Sequence, residues 1–282
     1  MIHIIADSTC DLSKELVEKY GIIIQPLYIH LGEEEYQDGV SITPDDIYKW
    51  SEETKETPKT AAVSMAEMID LYEKYTTNGD EIICFSISDD MSTTGNVMRM
   101  AAEEMDATER IHVINSANLS TGIGLLVIEA AIMAQNGVPA KDIVAKIEEL
   151  KPLVRSSFVV DILTYLHRGG RCSGVAALAG GMLKLHPRIA VEDGKMGPGK
   201  KYRGRMNSVI LEYVKDMEED LKMAKADRVF ITHSGCDEAI IDEVRAYLEQ
   251  LHVFDEILVT RAGGVISSHC GPGTLGVLFI AG

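Results

Sequence analysis

The chain has 282 residues, of which 46% are hydrophobic and 25% charged, so it can build an ordinary globular core and is long enough for two domains. Its formal net charge of −17 disfavours binding to nucleic acid and to anionic membrane surfaces, which need clustered Lys and Arg. The charge is compatible with a partner that has a basic face, or it serves only solubility.

Cysteine usage and the first residues indicate the compartment. The five cysteines are widely spaced and form no C-x-x-C pair, which is typical of reduced thiols. An acidic residue, Asp7, stands where a signal peptide would be apolar. The most apolar segment, Ile123 to Ala134, contains Glu129 and is too short to span a bilayer. We therefore expect a soluble cytoplasmic protein without stable membrane insertion.

Short apolar strands alternate with amphipathic helices in the first half of the chain. The predicted strands are Ile2 to Ala6, Ile22 to Leu31, Glu81 to Ser86 and Ile111 to Ile114. The predicted helices begin near Ser13, Thr43, Ser64, Ser92, Ser120 and Pro139. This alternation predicts a largely parallel sheet with helices on its faces.

The pattern restarts near residue 155. The predicted strands here are Ser157 to Ile162, Arg188 to Val191, Val229 to Thr232 and Glu256 to Thr260, with helices at Met206 to Ala224 and Cys236 to Gln250. The segment from Glu192 to Gly204 contains four glycines and a proline, which predicts a hairpin or an exposed loop. The fold class is therefore α/β: we expect two α/β domains, residues 1–155 and 156–282, each with a largely parallel sheet flanked by helices.

Most motifs that carry chemistry are absent from the sequence or out of context. Gly271 to Gly276 matches G-x-G-x-x-G, but the following Val277 to Ile280 reads as a strand, whereas a dinucleotide site needs a helix. The pairs His233/Cys236 and His269/Cys270 lack the other two ligands of a zinc site. We expect no cofactor and no metal, while a Ser/His/Asp triad assembled in space stays open.

Side chains with hydroxyl groups collect in loops after the predicted strands, where open α/β sheets bind their ligands. Ser and Thr also cap helices and turns, so each one alone is ambiguous. The loops are Asp7-Ser8-Thr9, Ser86-Ile87-Ser88, Ser92-Thr93-Thr94, Asn115-Ser116 and Ser120-Thr121, together with the loops that hold Thr60 and His269.

Four short motifs follow one another along the chain: Asp7 to Leu12, Ser156 to Asp161, Leu166 to Arg171 and His269 to Gly276. In this order they resemble the DegV family of bacterial fatty-acid-binding proteins, some of which are the binding subunit of a fatty acid kinase. The resemblance covers nearly the whole chain. It implies two α/β domains with a lipid between or beneath them, and a non-catalytic, lipid-binding role in phospholipid metabolism.

The resemblance also implies where the carboxylate of the fatty acid binds. In the family its contacts come from a Thr in a Thr-Ser-Gln-Pro-Ser-like loop, a Ser in a Leu-Ser-Gly-Thr-like loop and the His before Gly-Pro-Gly. These positions match Thr60, Ser92 and His269. An offset of one residue in the second loop would make Thr93 the contact instead.

This chain departs from the family pattern in both loops. The first reads Thr60-Ala61-Ala62-Val63-Ser64, and the second, Asp89 to Gly95, lacks the glycine beside Ser92. Asp89 and Asp90 would repel a carboxylate unless their side chains point to water.

A buried carboxylate needs hydrogen-bond donors, which hydroxyl groups and an imidazole supply. The tail would provide most of the affinity, since about 15 methylenes at ~0.8 kcal/mol each offer roughly 12 kcal/mol before binding costs. We expect a long apolar tunnel for the tail. Each residue that is a candidate to line this tunnel fits equally well as an ordinary core residue. The candidates are Leu163, Leu166, Leu178, Met182, Leu183 and Ile189.

A basic cluster, Lys200 to Arg205, stands out on an acidic protein. The resemblance implies that Arg203 or Arg205 contacts the fatty acid kinase, which would phosphorylate the bound acid to an acyl phosphate. A solvated hairpin tip explains the cluster as well. Two other functions stay open: a serine esterase or thioesterase that uses Ser92 or Ser8 with His269, and a lipid-responsive regulatory module.

Overall fold

The computed structural model describes residues 1–172, 174–175 and 185–282. Its strands are β1 Ile2–Asp7, β2 Ile23–Gln25, β3 Tyr28–Leu31, β4 Glu34–Gln37, β5 Lys59–Ala61, β6 Glu81–Ser86, β7 Ile111–Asn115, β8 Val154–Val159, β9 Leu185–Glu192, β10 Lys195–Arg203, β11 Ala224–His233, β12 Glu256–Arg261 and β13 Leu275–Ala281. Its helices are α1 Lys14–Tyr20, α2 Pro44–Thr54, α3 Met65–Thr76, α4 Thr94–Glu104, α5 Thr121–Gln135, α6 Ala140–Leu150, α7 Leu163–Gly169, α8 Met206–Asp216, α9 Glu218–Lys222, α10 Glu238–Gln250 and α11 Gly264–Cys270.

The first sheet is parallel, as the alternation of strands and helices predicts. Its order is β2-β1-β6-β7, and each neighbouring pair runs parallel. Local signals set the helix ends: Thr43 and Ser64 each form a capping box, and α1 ends at Gly21, whose φ is 64°. The carboxyl ends of β1, β6 and β7 therefore bring their polar loops to one edge of the sheet.

The single strand expected from Ile22 to Leu31 is wrong, because the chain breaks at Pro26 into β2 and β3. Proline has no N–H for a ladder bond and restricts the residue before it. Strand β3 pairs instead with β4 and β5 in a small antiparallel sheet. Thr60, expected in a loop, therefore lies on β5 opposite Ile29.

The second sheet has the order β10-β9-β8-β13-β11-β12, and only its β11–β12 pair is parallel. The α/β class is confirmed, but the expectation of a largely parallel sheet here is corrected. The expected hairpin is present: Asp193 and Gly194 join β9 to β10 with φ values of 49° and 80°, which suit a two-residue turn. The domain boundary expected at residue 155 falls inside β8, and the division into two domains stays a prediction.

Helix α5 lies between the two larger sheets. It is apolar on nearly all sides and almost entirely buried, as a helix without a polar face must be. Its side chains share one core with Phe85 of the first sheet and with Phe158 and Leu278 of the second. Within the described ranges no helix is long and apolar enough to cross a membrane. The shared core fixes the loops of both sheets relative to each other.

Candidate lipid head-group site

A cavity of about 510 Å³ lies among strand β5, helix α11 and the loops that follow β6 and β7. Its volume is within the range of about 300–1,000 Å³ that is usual for small-molecule sites. Thr60, Ser92, Thr93 and His269 all line it, and we call these four residues the head-group cluster. Its apolar wall includes Leu27, Ile87, Met91, Leu119, Met196 and Ile266.

Thr60 and His269 are in direct contact although 209 residues separate them in the chain. Their Oγ1 and Nε2 atoms are 2.9 Å apart. Helix α11, which carries His269 near its end, packs against β3 and β5 and so brings the imidazole to Thr60. Burial and, to a smaller extent, the nearby Arg171 guanidinium together lower the pKa of His269 to about 4. The imidazole is therefore neutral at neutral pH.

The other ring nitrogen of His269 faces the backbone of α7. Nδ1 is buried without a hydrogen-bond partner in the described part of the chain, and a Cβ atom on Gly169 would lie 2.4 Å from it. Only glycine leaves room for the ring at this position. Because an orphaned N–H donor is less tolerated than an orphaned acceptor, the proton belongs on Nε2. Nε2 then donates to Thr60, and the hydroxyl hydrogen of Thr60 is left for the cavity.

Ser92 and Thr93 lie side by side just before α4. The helix begins at Thr94 with Thr93 as its N-cap residue, so Ser92 does not occupy the capping position expected for it. The Ser92 Oγ lies 2.9 Å from the Thr94 Oγ1 and accepts the Thr94 N–H at 3.3 Å. Ser92 is half-buried and Thr93 is exposed. Both line the cavity, so either hydroxyl can reach a ligand inside it.

Sequence reasoning missed Arg171, which brings a positive charge to the cavity wall. Its Nη1 donates to the carbonyl of Gly169 at 2.8 Å and its Nε to that of Met91 at 3.4 Å. Its Nη2 makes no hydrogen bond to another described residue. The signal was available, because Arg171 ends the quoted motif that begins at Leu166, but no role followed from the pattern alone.

The two aspartates beside Ser92 are paired with cations. Asp89 lies 3.0 Å from the Nη2 of Arg99, and Asp90 lies 3.6 Å from the Nζ of Lys195 on the β9–β10 hairpin. These ion pairs reduce the repulsion that the sequence leads us to expect for an anionic ligand. The hairpin tip is also tied to this loop by the Ser88 hydroxyl, which donates to the Gly194 carbonyl at 2.7 Å.

Other hydroxyl groups from the predicted loops form hydrogen bonds to carboxylates inside the protein. Ser8 donates to Asp38 at 2.8 Å, and Ser120 donates to Asp11 at 2.5 Å. They do not line this cavity and belong to the framework behind it.

The geometry does not assemble a hydrolytic triad from the described residues. His269 is bonded to Thr60, whereas Ser92 is bonded to Thr94 and Ser8 to Asp38. The Nδ1 atom of His269 has no carboxylate to orient it in the part of the chain that the structure covers. Within that part no group of three or more His, Cys, Asp or Glu side chains is arranged to hold a metal ion.

Of the residues expected to line the tail tunnel, those that the structure describes do not line this cavity, and neither do the two expected partner contacts. Leu166 and Ile189 are buried members of the large core cluster, and Leu163 packs against that cluster. Leu178, Met182 and Leu183 lie outside the described residues. Arg203 is the last residue of β10 and Arg205 precedes α8, and both are exposed.

Comparison with known proteins gives consistent matches along the whole chain. A family model described as "Uncharacterised protein, DegV family" matches residues 1–282. A DegV domain-containing protein of Caldanaerobacter subterraneus is 33% identical over 281 residues, covering 99% of this chain and 98% of the relative. A structure on fatty acid binding of a DegV family protein from Thermus thermophilus has a TM-score of 0.91 and 29% identity and covers 99% of both chains. A stearic-acid-binding protein from Eubacterium ventriosum has a TM-score of 0.85 and 30% identity, with 100% of this chain and 98% of that chain covered.

Proposed function

Because the chain belongs to the DegV family, we propose that it binds a long-chain fatty acid in the cavity, with the carboxylate on Thr60, on Ser92 or Thr93, and near His269. One observation carries the proposal: the head-group cluster comes from three distant segments of the chain and lines a single cavity. The similar structures from Thermus thermophilus and Eubacterium ventriosum, both of fatty-acid-binding proteins, support it.

The cluster has the donors that an anionic head group requires. Thr60 offers its hydroxyl hydrogen, because its oxygen already accepts from the Nε2 of His269. A second hydroxyl comes from the loop before α4, and Arg171 supplies the positive charge. Hydrogen bonds to a charged group contribute about 1.5–3 kcal/mol each, so two hydroxyl groups are enough to select an acid over a neutral lipid.

The hydrocarbon tail would follow the apolar wall of the cavity inward. Leu27, Leu119 and Ile266 are buried and line this wall. Each methylene that leaves water contributes about 0.8 kcal/mol, so the tail sets the affinity and the head-group cluster sets the orientation.

We further propose that the protein is a cytoplasmic carrier and not itself the enzyme. Thr93 and Arg171 are exposed, so a carboxylate held beside them stays accessible from solvent. A fatty acid kinase would transfer a phosphoryl group from ATP to a carboxylate oxygen, giving an acyl phosphate and ADP. Arg203 and Arg205 are the proposed contact with that kinase, whose docking face would then carry acidic residues.

Native mass spectrometry of the purified protein, followed by solvent extraction, tests the binding proposal. We expect one free, unesterified long-chain fatty acid per chain. A protein that is empty, and that takes up no added fatty acid, would contradict the proposal. Hydrolysis of acyl esters that is lost in Ser92→Ala would instead support the esterase.

The partner surface has a separate test. The double variant Arg203→Glu/Arg205→Glu should retain fatty acid but lose at least about tenfold in complex formation with a fatty acid kinase, because reversed charges repel the partner. The matched control is Arg245→Glu, which reverses the charge of a side chain that is also exposed, on α10. Equal kinase binding by the double variant and the control would exclude this surface. Failure of the wild type to bind any kinase would favour a regulatory module.

A further inference from the structure

Three carboxylates are buried behind the cavity, and we call them the acidic frame. Asp7 is 0% exposed, Asp11 5% and Asp38 2%. Within the described residues none of them pairs with a cation, so N–H and O–H donors alone stabilise them. Burial raises the pKa of Asp7 to about 6 and raises those of Asp11 and Asp38 above the ordinary aspartate value. Burying three such groups costs stability, which favours a specific role for them.

Two members of the frame hold the first residues of α11. The Oδ1 of Asp38 accepts the N–H of Gly264 at 2.6 Å, and the Oδ1 of Asp11 accepts the N–H of Gly263 at 2.8 Å. The first N–H groups of a helix have no partner inside the helix and carry partial positive charge, which suits a carboxylate. The contacts join residues 226 and 252 positions apart in the chain.

Both glycines lie very close to neighbouring side chains. A Cβ on Gly264 would lie 2.6 Å from Ile29 Cδ1 and 3.0 Å from Asp38 Oδ1. A Cβ on Gly263 would lie 3.2 Å from Asp11 Oδ1. The start of α11 therefore sits against the small sheet and the acidic frame with little freedom to move.

The third member holds the loop on the other side of the cavity. The Oδ2 of Asp7 accepts the N–H of Ile87 at 2.8 Å, and its Oδ1 accepts the N–H of Thr9 at 2.9 Å. Ile87 lines the cavity and opens the loop that leads to Ser92. The acidic frame therefore contacts the two segments that carry the rest of the head-group cluster: the loop that leads to Ser92 and Thr93, and the start of the helix that carries His269.

We propose that the acidic frame positions the head-group cluster. Asp11 and Asp38 fix the position of the His269 imidazole through α11, and Asp7 fixes the position of the loop that carries Ser92. This inference rests on the proposed function. Helix α11 has seven residues, too few to be stable alone, so its placement depends on its ends. His269 must meet Thr60 at 2.9 Å while its ring fits against Gly169, which leaves little tolerance for a shift of the helix.

Variants of Asp38 separate positioning from simple stabilisation. Asp38→Ala removes the acceptor of the Gly264 N–H, whereas Asp38→Asn keeps a carbonyl oxygen there and is the variant more certain to fold. Glu129→Gln is the matched control, because Glu129 is a mostly buried carboxylate paired with Arg228 and Lys225 away from the cavity. Dissociation constants are measured for hexadecanoic acid and for hexadecan-1-ol, which share a tail but differ in head group.

We expect Asp38→Ala to weaken acid binding about tenfold more than alcohol binding, with Asp38→Asn intermediate and Glu129→Gln unchanged in this ratio. Equal losses for both ligands in the Asp38 variants would overturn the inference, since lost stability alone affects both. NMR titration of the His269 imidazole gives a readout that needs no lipid. Its low pKa should rise in Asp38→Ala and stay low in Glu129→Gln, and an unchanged value in both would also overturn the inference.

If the wild type binds no fatty acid, the proposed function fails while the imidazole titration still decides the role of the frame.

Discussion

The head-group cluster and the acidic frame are both polar and lie close to each other, but the cluster comes from distant segments of the chain whereas the frame comes from its first 38 residues, and the two differ in where their polar atoms point. In the frame the carboxylates of Asp7, Asp11 and Asp38 are occupied by donors from the protein. In the cluster, by contrast, the Thr60 hydroxyl hydrogen and the exposed Thr93 face a cavity. A buried polar group whose hydrogen bonds are all made within the protein has a structural role, whereas a donor that faces a cavity without a partner is a candidate ligand contact.

The largest expected effect comes from removing the cluster's central pair. Thr60→Ala/His269→Ala should weaken fatty acid binding by at least about a hundredfold, because it removes a donor to the carboxylate and the group that orients that donor. Retention of fatty acid after purification, measured by native mass spectrometry, gives the result.

The control for this variant is Thr54→Ala/His252→Ala, which removes the same side-chain types at exposed positions. Undiminished retention in Thr60→Ala/His269→Ala would mean that the head group binds elsewhere.

A smaller effect is expected from the cation on the cavity wall. Arg171→Gln should weaken binding of the acid by roughly tenfold at low salt and by less at high salt, because an exposed charge is screened. Titration calorimetry at two salt concentrations measures the difference. Arg168→Gln is the matched control: Arg168 is also exposed, donates to the Thr57 hydroxyl at 3.2 Å and does not line the cavity. Equal effects of the two substitutions would remove Arg171 from the site.

The smallest effect concerns pH and distinguishes the buried imidazole from the buried carboxylates. The folded pKa of His269, about 4, lies below its ordinary value of 6.5, so the unfolded chain binds a proton in this range that the folded protein does not. The contribution of His269 to stability is therefore complete above about pH 6.5 and falls as the pH drops towards 4. For Asp7 the folded pKa of about 6 exceeds 3.8, so its contribution is present below 3.8 and is lost as the pH rises through 6.

Comparison of the wild type with His269→Gln isolates the imidazole from these opposing carboxylates. Urea unfolding between pH 4 and 7 should show that the wild type loses more stability on acidification than the variant does. Parallel curves for the two proteins would contradict the neutral, buried state of His269.

Local signals in the sequence predicted much of the first half of the fold. The capping boxes at Thr43 and Ser64 and the left-handed Gly21 are set by residues within one turn, so reading them needs no tertiary information. Strand direction in the second sheet was beyond such signals, because the alternation of strands and helices predicted parallel pairing and does not show which strands become neighbours. β13 enters between β8 and β11 antiparallel to both, which only long-range pairing decides.

Prediction of the site was limited in the same way, by contacts between residues that are distant in the sequence. Thr60 and His269 were identified through family resemblance, but their contact depends on α11 packing against β5. Arg171, Asp7 and Asp11 stand within the motifs that carry the resemblance, but no role for them followed from the pattern, since an arginine after two glycines and an aspartate at the end of a strand are common features of loops. Their roles appear only when distances and burial are known.

A crystal structure of the protein with a bound long-chain fatty acid tests the proposed binding mode most directly. We expect a carboxylate oxygen within about 3.2 Å of the Thr60 Oγ1 and another within the same distance of the Ser92 or Thr93 hydroxyl, with the tail along the apolar wall of the cavity. A carboxylate bound away from Thr60 and His269, or a tail that leaves this cavity empty, would contradict it.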